Sequence, residues 1–213
     1  MEIKNLEKHS LQFVEEINDL TEKTKMKKND FDILFIGSSS FRVWETMEED
    51  LYPIKTLNHG FGGSRIYDSI YFSEKLIFDY EPKVVAIFAG TNDINGRDTK
   101  SGSEVAEITK ALIQLIESRI KDVKIVYFSL TISPLKRKLK KEIIEVNEII
   151  KDFCLNEETR TMIDFTNDFL GRKGKPIKKY FQNDKLHFNE LGYELWTKIS
   201  RPILLEVINN SIL

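Results

Sequence analysis

The 213 residues are 41% apolar and 31% charged, with 32 Lys plus Arg against 34 Asp plus Glu, a net charge of -2. That balance suits a folded domain with an ordinary core and excludes a generally basic nucleic-acid binder. No stretch reaches the roughly 18 uninterrupted apolar residues of a membrane helix, and the single cysteine, Cys154, excludes an internal disulfide or a thiolate zinc site.

The chain opens MEIKNLEKHSLQFVEEINDL, without the basic start and apolar centre of a secretory signal, so a cytoplasmic location is expected. Ile3, Leu6, Phe13, Val14, Ile17 and Leu20 recur at helical spacing, which predicts an amphipathic helix over residues 1–28 that packs on the rest. Short apolar runs follow at Asp32 to Ile36, Ile54 to Leu57, Val84 to Phe88, Val123 to Phe128 and Thr161 to Ile163. Between the third and fourth, Ser101 and Glu104 form a capping-box pair ahead of Val105, Ile108, Leu112, Leu115 and Ile116 on one helix face. Helical patterns recur over Lys138 to Leu155, which carries Cys154 as a buried inert thiol, and over Asn189 to Asn209, with a kink expected at Pro202. Asn147 falls on an apolar face, where it suits a bond to a loop carbonyl.

Alternation of strand and helix implies parallel strands. Runs such as VVAIF and KIVYF, apolar throughout, read as strands covered by helices on both sides. The expectation is one domain over residues 1–213, a three-layer α/β/α sandwich with about five strands in flavodoxin-like order. Its site should lie at the carboxyl ends of the strands.

That rim collects the polar residues. Gly37-Ser38-Ser39-Ser40 follows the first strand, Asn58-His59-Gly60-Phe61-Gly62-Gly63-Ser64 the second and Gly90-Thr91-Asn92-Asp93 the third, while Asp184-Lys185-Leu186-His187 comes past the fifth. A serine hydroxyl attacks well only if a base takes its proton, and histidine is the usual base near neutral pH. Of three histidines, His9 lies in the first helix and His59 has no acid close by in sequence. His187 has Asp184 three residues before it, near enough on a turn to fix the ring tautomer. Donors for an oxyanion are available in the backbone N–H of Ser39, the N–H of Gly63 and the amide of Asn92.

These four blocks, in this order, resemble the SGNH, or GDSL-like, hydrolase superfamily from about Asp32 to Leu205. FIGSSSFRVW and NHGFGGS are most similar to bacterial members with a Gly-Ser-Ser start and to platelet-activating-factor acetylhydrolase catalytic subunits. The resemblance selects Ser39, rather than Ser38 or Ser40, as nucleophile. It implies His187 as base, Asp184 as its partner, and Ser39, Gly63 and Asn92 as the oxyanion hole. Short acyl esters are the implied substrates, without a cofactor or metal; the same residues would serve acyl transfer to another acceptor, or a lysophospholipase or thioesterase. Two positions depart from the family: Ser38 replaces the usual Asp, and Ser64 stands where Asp is common.

Arg42, Phe61 and Arg65 neighbour the motifs and are expected to line the substrate pocket, whereas Trp44 reads equally well as core. The basic runs Lys25 to Lys28 and Lys136 to Lys141 read as solvated surface, the second starting at the rim where it would draw in anions. A homo-oligomer is compatible with the sequence. No G-x-S-x-G elbow, P-loop or second His/carboxylate pair supports another class of enzyme. A non-catalytic binding subunit on the same scaffold is the alternative outside catalysis.

Overall fold

Five parallel strands carry the molecule: β1 (Ile33–Gly37), β2 (Thr56–Gly60), β3 (Val84–Phe88), β4 (Lys124–Phe128) and β5 (Arg160–Ile163). Their spatial order is β2-β1-β3-β4-β5, the flavodoxin-like order expected from the sequence. The structure, a computed structural model, describes residues 8–28, 30–95 and 99–210. β1 and β3 are fully buried, as their unbroken apolar sequences require. Helices Gly102–Arg119, Lys140–Leu155 and Glu190–Asn209 are among those that flank the sheet. Ser101 accepts a bond from the Glu104 N–H as the capping pair predicts, and Asn189 caps the last helix, which contains Pro202.

Strand β2 begins later than its apolar run suggested. Asn58 and His59 lie within it rather than in the loop beyond. His59 is buried in the strand because both ring nitrogens find partners: Nδ1 lies 2.8 Å from the Leu76 carbonyl and Nε2 3.0 Å from Thr24 Oγ1. Burial pushes its pKa down to about 4, against the opposing bond to Leu76.

The N-terminal segment is helical but not one continuous helix. A 3-10 turn at Leu11–Phe13 precedes the α-helix Val14–Thr24, and a second, Lys25–Lys27, ends it. The expected positions Ile3 and Leu6 lie outside the described residues. At the first turn Phe13 packs edge-on to Phe61, with ring centroids 5.3 Å apart, and Ile17 is wholly buried.

An aromatic cluster sits between the sheet and the last helix. Trp196 contacts Phe41, Phe88, Phe128, Phe165 and Phe188 at centroid separations of 4.9–5.7 Å. Trp44 belongs to this core, stacked on Tyr193 at 5.2 Å. Phe41 follows Ser39 by two residues and Phe188 follows His187 directly, so one packing unit fixes both the β1 turn and the histidine turn. Asn147 closes the β4 end: its side chain exchanges two bonds with the backbone of Leu130, at 2.8 and 2.9 Å, and reaches Thr166 Oγ1. Cys154 is buried, with its thiol pushed up to about 11 by that burial. Among the described residues no helix is long and apolar enough to cross a membrane.

Candidate active site

Because β1 connects to β2 on one side and β3 to β4 on the other, the connections leave the carboxyl ends of β1 and β3 in opposite directions and open a crevice there. The strand ends are tied together by backbone bonds: Ser38 N–H donates to the Phe88 carbonyl at 3.0 Å and Phe61 N–H to the Gly37 carbonyl at 3.0 Å. Gly37 has φ +142°, and a Cβ there would collide with the Phe88 carbonyl oxygen, so only glycine lets β1 turn this close to β3. The chain then enters the short helix Ser39–Arg42. Ser38 makes no capping bond with its hydroxyl, so the side-chain bond an aspartate would supply here is lost. Ser64 donates its hydroxyl to the Gly37 carbonyl at 3.2 Å.

Ser39, His187 and Asp184 meet at this crevice. His187 Nε2 lies 2.8 Å from Ser39 Oγ, and His187 Nδ1 lies 2.6 Å from Asp184 Oδ2. The other carboxylate oxygen, Oδ1, accepts the backbone N–H groups of Leu186 and His187 at 2.8 and 3.0 Å. Burial alone would raise the Asp184 pKa, but these N–H groups and the His187 ring hold it below the ordinary carboxylate value. The turn between them places Lys185 at φ +64°, a left-handed conformation unusual for lysine, which its carbonyl anchors by accepting the Leu135 N–H at 2.9 Å. Tyr193 OH donates to the Ser40 carbonyl at 2.7 Å and joins the last helix to the β1 turn.

On the opposite side, Asn92 Nδ2 donates to the Ser64 carbonyl at 3.0 Å, which fixes the amide plane and leaves its second N–H for a ligand. Gly63 is exposed, and a Cβ built on it would have Asn92 Nδ2 as its nearest neighbour, at 3.8 Å. The structure thus brings Gly63 and Asn92 side by side. Glycine at 62 is imposed differently: with φ +30°, a Cβ would strike the Phe13 ring, and its N–H donates to Glu16 Oε1 at 2.9 Å. The residue after Asn92, Asp93, is buried with Oδ2 accepting the Ile66 N–H at 3.2 Å and Oδ1 unpartnered. Burial pushes its pKa up to about 7, opposed by that N–H bond.

The substrate-lining expectations fare unevenly. Phe61 is 0% exposed and packed between Phe13 and Phe72, so it is core and lines no pocket; its place in a glycine-rich motif misled because its ring turns under the loop. Arg42 is exposed and faces Glu16 at 3.9 Å. Arg65 is half-buried and starts the helix Ile66–Tyr71, its N–H donating to Asp68 Oδ2 at 2.8 Å. His9 is tied to the buried Asp68, Nδ1 to Oδ1 at 3.0 Å. What the sequence reading missed is the loop after β4, where Thr131, Ser133 and Lys136 line a cavity with Ser40, Thr91 and Leu186. These last three are the chain neighbours of Ser39, Asn92 and His187. The available signal was that Lys136 opens a basic run in the segment that follows the fourth strand.

A model of the GDSL-like lipase/acylhydrolase family matches residues 36–195, well over half of the chain, and the protein belongs to that family. It is a carboxylic ester hydrolase. A search of the curated proteins finds no match. Among solved structures, a Streptococcus pneumonia protein described provisionally as a platelet activating factor superposes with a TM-score of 0.76 at 17% identity, covering 96% of this chain and all of that one. A GDSL-like lipase from Bacteroides thetaiotaomicron gives 0.72 at 16% identity, covering 92% and 97%. The acetyl xylan esterase AlAXEase gives 0.67 at 20% identity, covering 80% and 98%. At these identities the likeness is one of fold.

Proposed function

We propose that the protein hydrolyses short-acyl carboxylic esters through an acyl-enzyme on Ser39. The carrying observation is the unbroken chain Ser39 Oγ, His187 Nε2, His187 Nδ1, Asp184 Oδ2, with contacts of 2.8 and 2.6 Å. Ser39 Oγ attacks the ester carbonyl as its proton passes to His187 Nε2, and Asp184 stabilises the imidazolium. The oxyanion takes hydrogen bonds from the Ser39 N–H, the Gly63 N–H and Asn92 Nδ2. His187 returns the proton to the departing alcohol. Water then attacks the acyl-enzyme with His187 again as base, and the acid leaves with Ser39 restored.

The likeness of the Gly37-Ser38-Ser39 and Asn58 to Ser64 blocks to short-acyl members of the family favours acetyl-sized groups. A structural neighbour described as an acetyl xylan esterase agrees in direction. The test is hydrolysis of 4-nitrophenyl esters from acetate to octanoate. Acetate and propionate should turn over fastest, and the activity should vanish in Ser39→Ala and His187→Ala. Preference for octanoate would overturn the short-acyl assignment, and activity surviving Ser39→Ala would overturn the nucleophile.

A further inference from the structure

The basic run after β4 is not uniform. Arg137, Lys138 and Lys141 are exposed, and Lys140 Nζ donates to the Gly174 carbonyl at 3.3 Å. Lys136 alone turns inward, with 7% of its surface exposed. Two bonds donated by backbone N–H groups hold it there. The Leu135 N–H donates to the Lys185 carbonyl at 2.9 Å, and the Lys136 N–H donates to Ser133 Oγ at 3.2 Å. The loop is thereby latched to the turn that carries His187.

A lysine this buried normally satisfies its ammonium with a carboxylate or carbonyls. Among the described residues Lys136 Nζ makes no hydrogen bond or ion pair with the protein. It lines the small cavity behind the catalytic residues, and Thr131 Oγ1, on the same wall, is also buried without a hydrogen-bond partner. A cationic donor and a hydroxyl, neither hydrogen-bonded to the protein among the described residues, thus line one space beside Ser40 and Thr91. The rest of its lining, Ser133, Leu186 and three phenylalanines, supplies no charge. An ammonium and a hydroxyl together suit an anion, and the cavity of about 20 Å³ suits a planar carboxylate oxygen better than the three oxygens of a phosphate.

We propose that Lys136 is the counter-charge for the substrate: the ester hydrolysed at Ser39 carries a carboxylate, which the Lys136 ammonium and the Thr131 hydroxyl bind. This rests on the ester-hydrolase reading of the Ser39 site and adds the substrate class. The carboxylate belongs either to the acyl group or to the alcohol, and both present the same chemistry to Lys136. Burial holds the free ammonium below the ordinary lysine pKa, with no neighbouring charge to oppose it, so an entering carboxylate would restabilise the charged form.

Two ester pairs test this. In 3-acetoxybenzoate against its methyl ester the charge is on the alcohol side; in monomethyl succinate against dimethyl succinate it is on the acyl side. The wild-type protein should hydrolyse the anionic member of one pair with the higher kcat/KM. Lys136→Met should cut that value by about 10- to 100-fold, the range for a hydrogen bond to a charged group. It should leave both neutral esters within about twofold, since the catalytic residues do not bond to Lys136 Nζ, and Lys136→Arg should recover part of the loss. The Tm of Lys136→Met should not fall, because methionine keeps the buried apolar stem. Equal losses on charged and neutral esters, in this variant and in Lys136→Gln, would make Lys136 structural and overturn the proposal. So would a wild-type protein without preference for either anionic ester. Neutral-ester turnover that survives Ser39→Ala would instead overturn the hydrolase reading, whatever Lys136 does.

Discussion

Tyr193 and Ser40 lie 153 residues apart in sequence, and the phenol of one donates to the carbonyl of the other at 2.7 Å. This bond spans the two halves of the site, since Ser40 adjoins the proposed nucleophile and Tyr193 sits in the helix that follows the histidine turn. Tyr193→Phe removes the bond and leaves the aromatic packing on Trp44. The expected stability loss is about 1 kcal/mol, or about 2–4 °C in Tm. The Ser39–His187 alignment should loosen enough to lower kcat about threefold to tenfold, less than the ~100-fold attached to a displacement of 1 Å. An unchanged kcat with a lowered Tm would confine the bond to stability.

A fluorophosphonate should label Ser39 and neither neighbour. Ser38 is buried at the end of β1, and Ser40 lines the Lys136 cavity, whereas Ser39 Oγ alone meets a histidine nitrogen. Peptide mapping should find the adduct on Ser39 in Ser38→Ala and Ser40→Ala. Labelling should drop sharply in His187→Ala, because the hydroxyl then has no base, and persist partly in Asp184→Asn. An adduct on Ser38 or Ser40 would refute the proposed triad.

Gly63 and Asn92 are separable by kinetics. Asn92→Ala should lower kcat by roughly 10²- to 10³-fold with little change in KM, since the lost donor acts on charge present in the transition state. Gly63→Ala should fold normally, because the added Cβ meets nothing closer than Asn92 Nδ2 at 3.8 Å. That methyl would nevertheless stand where the acyl carbonyl must approach, so kcat/KM should fall while Tm holds. A Gly63→Ala protein with full activity would move the oxyanion away from this loop.

Stability against pH should show two opposing groups. Asp93 ionises near 3.8 when unfolded and near 7 when folded, so between these values the folded state holds more protons and stability falls as pH rises. For His59 the folded value of about 4 lies below the unfolded 6.5, so stability there falls as pH falls. Each slope is at most about 1.4 kcal/mol per pH unit, and over pH 4 to 6.5 they offset. Asp93→Asn keeps an acceptor for the Ile66 N–H and leaves Lys100, Arg65 and Asp68 around it. Its Tm should fall steeply as pH drops from 6.5 to 4, where the wild-type curve is flatter, and should exceed the wild-type Tm at pH 8. Identical curves would show that Asp93 does not change its ionisation on folding.

The parts of the fold visible in the sequence were those where burial is two-sided. VVAIF matched its strand residue for residue, and Ser101 with Glu104 marked a helix start, because both signals are local. His59 read as loop because the partners that let it enter a strand, Thr24 and Leu76, are 35 and 17 residues away. The motif order brought Ser39, Asp184 and His187 to attention, and the structure places them in contact. Phe61 and Lys136 were misjudged for one reason. Adjacency to a motif or to other charges does not say which way a side chain turns, and that depends on Phe13 in one case and on the Leu135–Lys185 bond in the other.

The family match begins at residue 36, yet the N–H of Gly62 is held by Glu16 and its shape by Phe13. The family block and the mechanical unit therefore have different borders: a loop inside the matched block takes its contour from a segment outside it. A different leading segment would change what holds Gly62 and so what shapes the loop that presents Gly63. Transplanting the block alone would leave Gly62 without its anchor, so the contour of the loop that carries Gly63 depends on a helix outside the matched block.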